Sequence, residues 1–293
     1  MERGQEFDLG QGKKIILRDW LGSDEDIARY ARTSQATSTT PINVEKLLRY
    51  MMRHGHSSPF EFAEVILEIH VPMHVWRQWI RHRTASVSEL STRYTDMTDI
   101  LTMETTPEES WRFQSKSNRQ GSQGYFPEGT GQHFSEEEKI LQQHAARVYK
   151  SRIQAGMARE QARKDLPLST HTIAMWKMDL HNLLHFLELR MHPSAQEEIR
   201  LYANCIGKQI VAQLFPITWK AFCDYRLDAR TFSFPEIEAM RMYFKRVSDP
   251  YTEVAVLSCQ ISEEMEGTTG RSEFVKKLNY LFYEIIKDSE VPS

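Results

Sequence analysis

Residues 81–93 read RHRTASVSELSTR, three arginines and a histidine set among seryl and threonyl hydroxyls around one glutamate. Arg81, Arg83 and Arg93 carry permanent charge on planar forks that match phosphate oxygens, and Ser86, Ser88, Ser91 and Thr92 add hydroxyl donors. The chemistry this density suggests is the holding of a phosphorylated ligand. His82 lies between two arginines, so like-charge repulsion should keep its imidazole neutral, with Glu89 the nearest carboxylate that could oppose this. Ser86 or Ser91 could be drafted as a nucleophile with His82 as base, but no G-x-S-x-G elbow surrounds either. Ser91 therefore reads as a phosphate ligand.

A second set falls near residues 173–190. Read as one helix, Ile173, Trp176, Leu180, Leu183, Leu184 and Leu187 form its core stripe. His181, Asn182 and His185 then share the opposite face, with Arg190 at its edge. His181 and His185 are one turn apart, a spacing that can chelate a metal, but the sequence is HNLLH and lacks the glutamate of HExxH. Arg163 and Asp179 enlarge the polar inventory. A third group, HGHSSPFEF, offers His56 and Ser58 where a loop enters a strand. No G-x-G-x-x-G or Walker loop occurs, so any phosphate is held by side chains and turns.

The chain must position these groups with 293 residues, 40% hydrophobic, and a net charge of −3. That composition supports a packed core and provides no basic field for a nucleic-acid backbone. The N-terminal residues contain no apolar export segment, and no run is long enough to cross a membrane. Cys205, Cys223 and Cys259 are far apart and never in CxxC, which fits reduced thiols in the cytoplasm and gives no reason to expect a metal site.

KKIILRDWLG predicts a first strand, and Ser23 caps the helix that follows. NVEKLLRYMMRHG predicts a helix stopping at Gly55. Val65, Leu67, Ile69 and Val71 alternate with polar residues as in a half-buried strand, and Pro72 opens a helix whose stripe is Val75, Trp76, Trp79 and Ile80. Residues 104–136 read as a loop-rich insertion. Long helices are expected from Ser135 to about residue 164, from 169 to 190, and from Ser194, capped through Glu197. Residues 226–293 read as a C-terminal helical extension of a catalytic domain spanning 1–225.

The order of these pieces resembles the flavin-dependent thymidylate synthases, whose signature is R-H-R, seven residues, then S. It stands here as Arg81, His82, Arg83, TASVSEL, Ser91. GHSSPFEF and the RQW of residues 77–79 match upstream, and DLHNLLHFLELR with SAQEEIR matches downstream. The resemblance covers roughly residues 13–225; the family usually has Asn where Ser88 stands.

The resemblance implies an α/β subunit with a central sheet flanked by long helices, assembled as a homotetramer with FAD sites between subunits. It implies conversion of deoxyuridine monophosphate (dUMP) to dTMP with methylenetetrahydrofolate as carbon donor and NADPH as reductant. By position, Gln78, Arg81, Glu89, Ser91, Arg93 and Arg163 would hold the nucleotide, and Arg190 would meet the uracil ring as the catalytic residue. His56, Ser58, Arg81, His82, Arg83, Glu89, Asp179, His181 and His185 would face FAD. No cysteine lies in these groups, as expected where reduced flavin delivers hydride without a thiol adduct. Two other readings stay open on the residues alone: a metal-dependent phosphohydrolase using His181 and His185, and a nucleotide-binding regulatory module.

Overall fold

The structure, a computed structural model, describes residues 1–35, 41–116 and 121–238. Five strands pair antiparallel in one sheet: β1 (Glu6–Gly10), β2 (Lys13–Leu21), β3 (Glu64–Pro72), β4 (Ser86–Glu89) and β7 (His171–Asp179), in the spatial order β1-β2-β3-β7-β4. A separate hairpin joins β5 (Arg112–Gln114) to β6 (Ser122–Tyr125).

Local rules explain the elements before the site. Ser23 accepts a hydrogen bond from the Asp26 N–H and starts α1 (Asp24–Ala31). Asn43 does the same from Lys46 for α2 (Val44–His54), which ends at Gly55 with φ 69°, a conformation glycine adopts without strain. In β3 the alternation holds: Val65, Leu67, Ile69 and Val71 are buried. The strand turns at Pro72 directly into α3 (Met73–Trp79).

Trp76 and Trp79 of α3 are fully buried. The Trp79 ring lies 5.0 Å from Phe186, 5.3 Å from Trp176 and 5.4 Å from Tyr202. Each such aromatic pair adds about 0.5–1.5 kcal/mol to what burial alone contributes. The sequence immediately after Trp79 is thereby fixed to the core on its N-terminal side.

Three elements differ from the sequence reading. Residues 171–179 are strand, not helix: β7 pairs with β3 from Glu64↔Asp179 to Pro72↔His171, and only Leu180–Arg190 is helical (α6). Thr172, Ala174, Trp176 and Met178 face the core, while Ile173 stands on the other face and leaves the supposed stripe. Apolar residues on both faces hide a period of two. Ser194 does not cap α7 (Glu197–Cys205); Gln196 occupies that position, and the Ser194 hydroxyl lies 2.6 Å from His192 Nδ1. The long central helix α4 (Glu128–Gln154) begins before Ser135 and stops before Gly156, whose φ of 78° breaks it from the short α5 (Arg159–Ala162).

The segment read as a loop is packed where it is described. Trp111 donates from Nε1 to Ser135 Oγ at 2.9 Å, and Glu104 accepts from Lys13 Nζ at 2.6 Å while lying 2.8 Å from His74 Nε2. A Cβ at Gly131 would stand 2.0 Å from the Glu108 carbonyl oxygen, so only glycine lets α4 approach this strap.

After α7 a π-helical stretch, Ile206–Val211, leads into α8 (Ala212–Leu214) and α9 (Pro216–Phe222), with a π-turn at Cys223–Leu227. Met1–Leu227 is one compact unit and Asp228–Ser293 a second. In the second unit Ser233 N–H donates to Glu236 at 2.6 Å as a helix begins; Cys259 and the other expected helices lie outside the described residues.

Candidate active site

The core-anchored α3 delivers Gln78 at its last turn and Arg81, His82 and Arg83 just past its end. The backbone then runs along β7 as β4, in register from Ser86↔Lys177 to Glu89↔Ala174, so Ser86 and Ser88 belong to an exposed edge strand and not to a turn. The turn comes later, at Ser91–Arg93. These thirteen residues thus serve both ends of one strand.

At the C-terminal end of β7, Asp179 caps α6 by accepting from the Asn182 N–H at 2.9 Å, and α6 presents His181, His185 and Arg190. Arg190 donates from Nε to His82 Nε2 at 2.9 Å across 108 residues of sequence. His82 stacks edge-on against Phe186 at 4.9 Å and stands 6.3 Å from the His185 ring. Burial, then the charge of Arg190, then His185 lower the His82 pKa to about 4. The imidazole is neutral as expected, but the cause is burial and Arg190 and not the flanking arginines. With Nε2 accepting from Arg190, both terminal nitrogens of that guanidinium remain available as a fork.

Beside this pair, His56, His181 and His185 line a cavity whose floor is Met51, Met52, Phe60, Leu184 and Phe222. His181 makes no hydrogen bond among the described residues. An apolar floor with imidazoles at its edge suits a flat heteroaromatic ring with a polar rim, so these residues fit a flavin. Among the described residues no three metal-ligating side chains gather in an arrangement that could hold an ion. Ser57 lines this cavity, whereas Ser58 opens the adjacent 3-10 turn, exposed.

At the other end of β7, Leu90 donates to the Ile173 carbonyl at 2.8 Å, and the chain turns. Ser91 Oγ accepts from the Arg93 N–H at 3.3 Å, and Arg163 Nη1 donates to Thr92 Oγ1 at 2.7 Å. Arg93 is exposed, its Nε 3.7 Å from Glu160. This is a compact basic and hydroxyl-bearing cluster suited to phosphate. Glu89 does not meet His82; its carboxylate accepts from Trp76 Nε1 at 3.0 Å and Thr172 Oγ1 at 2.9 Å, leaving other lone pairs on an exposed residue.

Six residues of extended strand, about 20 Å, separate Asp179 from Ile173. Within one subunit the two halves of residues 81–93 therefore lie towards opposite ends of β7. Sequence reasoning assigned no role to Gln196, which accepts from Gln78 Nε2 at 3.4 Å. Nor did it bring in Arg226, placed in the extension but lining the histidine cavity with Glu188.

A family model described as Thymidylate synthase complementing protein matches residues 16–217. A Flavin-dependent thymidylate synthase of Thermus thermophilus is 41% identical over 232 residues, 78% of this chain and 82% of that one. The chain belongs to this family. Another member, the Flavin-dependent thymidylate synthase of Ruegeria pomeroyi, is 42% identical over 237 residues, covering 78% and 76% of the two chains. Among solved structures, the UMP/dUMP methylase PolB from Streptomyces cacaoi, bound with 5-Br UMP, superposes with a TM-score of 0.64 at 27% identity, over 77% of this chain and 96% of that one. The matched region contains both ends of β7 and ends before Arg226.

Proposed function

We propose that the protein is a flavin-dependent thymidylate synthase: it converts dUMP to dTMP with methylenetetrahydrofolate as carbon donor and FAD, reduced by NADPH, as hydride source. The observation that carries this reading is the Arg190–His82 bond, which joins the two halves of the family signature in one site.

FAD, held by His56, Ser58, Arg81, His82, Arg83, Glu89, Asp179, His181 and His185, supplies hydride when reduced. Gln78, Arg81, Glu89, Ser91, Arg93 and Arg163 hold the nucleotide, the last three at its phosphate. Arg190 sets its fork against the pyrimidine, where a permanent cation stabilises negative charge as C5 becomes nucleophilic. Neutral His82 accepts from the guanidinium Nε and fixes the plane of the fork without adding a competing charge. The buried tryptophans behind α3 keep this arrangement rigid.

The separation of the two ends of β7 supports a homotetramer in which the phosphate cluster of one subunit completes the ring-binding group of another. The exposed apolar residues Val87 and Tyr94, 47% and 75% accessible, flank this strand edge and suit such a contact. The enzyme acts in the cytoplasm, and residues 226–293 serve stability and assembly more than chemistry.

The test is direct. Purified protein should be yellow or take up added FAD, and should form dTMP from dUMP only when methylenetetrahydrofolate and NADPH are both present. A colourless protein that neither binds FAD nor forms dTMP defeats the proposal.

A further inference from the structure

α6 carries more than imidazoles into the histidine cavity. Glu188 follows His185 by three residues and His181 by seven, so it continues their face of the helix and lines the same cavity. It is half-buried and has no hydrogen bond or ion pair among the described residues. Arg226 lines the cavity from its exposed side and is likewise without such a partner among the described residues. A carboxylate and a guanidinium that share a cavity without meeting are both left to a ligand.

The turn that carries Arg226 is tied down. Arg49 Nη2 donates to Asp224 Oδ2 at 2.6 Å and to the Tyr225 hydroxyl at 3.3 Å, and the guanidinium groups of Arg49 and Arg53 lie 5.1 and 5.8 Å from the Tyr225 ring. The two residues before Arg226 are thus held by α2, which also supplies Met51 and Met52 to the cavity. The compact unit ends at Leu227, so Arg226 belongs with the site residues although it falls just past the boundary drawn from sequence.

A carboxylate offers two acceptor oxygens and is best matched by two parallel N–H donors. Uracil and the flavin ring each present one ring N–H between two carbonyls, adenine an amino group between two acceptor nitrogens, and nicotinamide a single amide nitrogen. Only the pterin of a folate sets a ring N–H beside an amino group on one edge, and a folate also ends in carboxylates. Resting on the thymidylate synthase reading, we propose that Glu188 and Arg226 select the carbon donor: Glu188 accepts from the N3–H and 2-amino groups of the pterin, and Arg226 meets the glutamyl carboxylates where the tail leaves the cavity. The half-burial of Glu188 and the exposure of Arg226 set the direction, ring inside and tail towards solvent.

The experiment titrates three probes into full-length, flavin-loaded wild type, Glu188→Gln and Arg226→Gln, reading dissociation constants by calorimetry. The probes are 5-formyltetrahydrofolate, its 2-desamino analogue, and 5-formyltetrahydropteroate, which lacks the glutamyl group. Glu188→Gln keeps the size but turns one acceptor into a donor; it should weaken the folate roughly 10- to 150-fold, the range for a charge-assisted contact, and the desamino analogue by much less. Arg226→Gln should weaken the folate about two- to fivefold, as fits an exposed ion pair, and leave the pteroate unchanged. Flavin content and the dUMP dissociation constant should match the wild type in both variants. Unchanged folate affinity in Glu188→Gln, equal weakening of the folate and its desamino analogue there, or equal weakening of the folate and the pteroate in Arg226→Gln would overturn the assignment. So would a defect confined to flavin content or to the KM for NADPH in flavin reduction. Failure of the wild type to bind any of the three probes would instead defeat the thymidylate synthase reading on which the assignment rests.

Discussion

Arg190 and His82 come from different motifs and meet in one hydrogen bond of 2.9 Å, Nε to Nε2, which leaves the guanidinium fork free. Lysine at position 190 would keep the charge and lose both the fork and the bond. Arg190→Lys should retain flavin and assembly yet lose roughly 10- to 150-fold in the dUMP-dependent step, the range for one charge-assisted contact. The check is dTMP formation over a nucleotide titration at saturating folate and NADPH; unchanged affinity and turnover would remove Arg190 from the site.

His82 also gives the fold a pH dependence. The folded imidazole stays neutral down to about 4, against an ordinary value of 6.5, because of burial, Arg190 and His185. Between those values the unfolded chain binds the proton more readily, so stability falls as pH drops through this window. Urea midpoints from pH 7.5 to 4.5 should fall less steeply in His82→Asn than in the wild type. Parallel slopes would mean that other groups set the dependence.

Glu104 anchors the strap before α4. Lys13 and Glu104 are only 12% and 10% exposed, and although burial raises the Glu104 carboxyl, His74 and Lys13 bring it to about 2. Glu104→Gln leaves the lysine charge buried and uncompensated, and should destabilise the protein by about 3–5 kcal/mol in urea unfolding. A loss below about 1 kcal/mol would show that the pair is effectively solvated.

Gly131 tests the same packing from the other side. Its added Cβ would press on a backbone oxygen, which cannot rotate away, so Gly131→Ala should cost about 1–3 kcal/mol despite the better helix propensity of alanine. A neutral or stabilised variant would mean that the Glu108 turn moves aside freely.

Much of this arrangement was legible in the sequence where one physical signal dominated. The alternation of Val65, Leu67, Ile69 and Val71, the stop at Gly55 and the tryptophan stripe of α3 each follow from periodicity or backbone freedom. β7 was not legible, because Ile173 and Met175 on the outer face and Ala174 and Trp176 on the inner one leave no alternation, and the helix that follows extends the apolar run. The neutrality of His82 was inferred from its neighbours, yet its cause depends on Arg190, which only tertiary structure brings near. The partners of Glu89, Trp76 and Thr172, were out of reach for the same reason, being 13 and 83 residues away. The two-ended character of residues 81–93 needed the register of β4 on β7.

That register makes the central claim testable with mixed subunits. If the Ser91–Arg93–Arg163 cluster and the Arg190–His82 group of one active site belong to different copies, two inactive proteins can repair each other. Arg163→Gln and Arg190→Lys should each form little dTMP alone. After dissociation and reassembly as an equal mixture, sites that draw both intact halves should restore a substantial fraction of wild-type dTMP formation. A mixture no more active than the average of its parents, in tetramers shown to contain both variants, would place both halves of the site within one subunit and contradict the account.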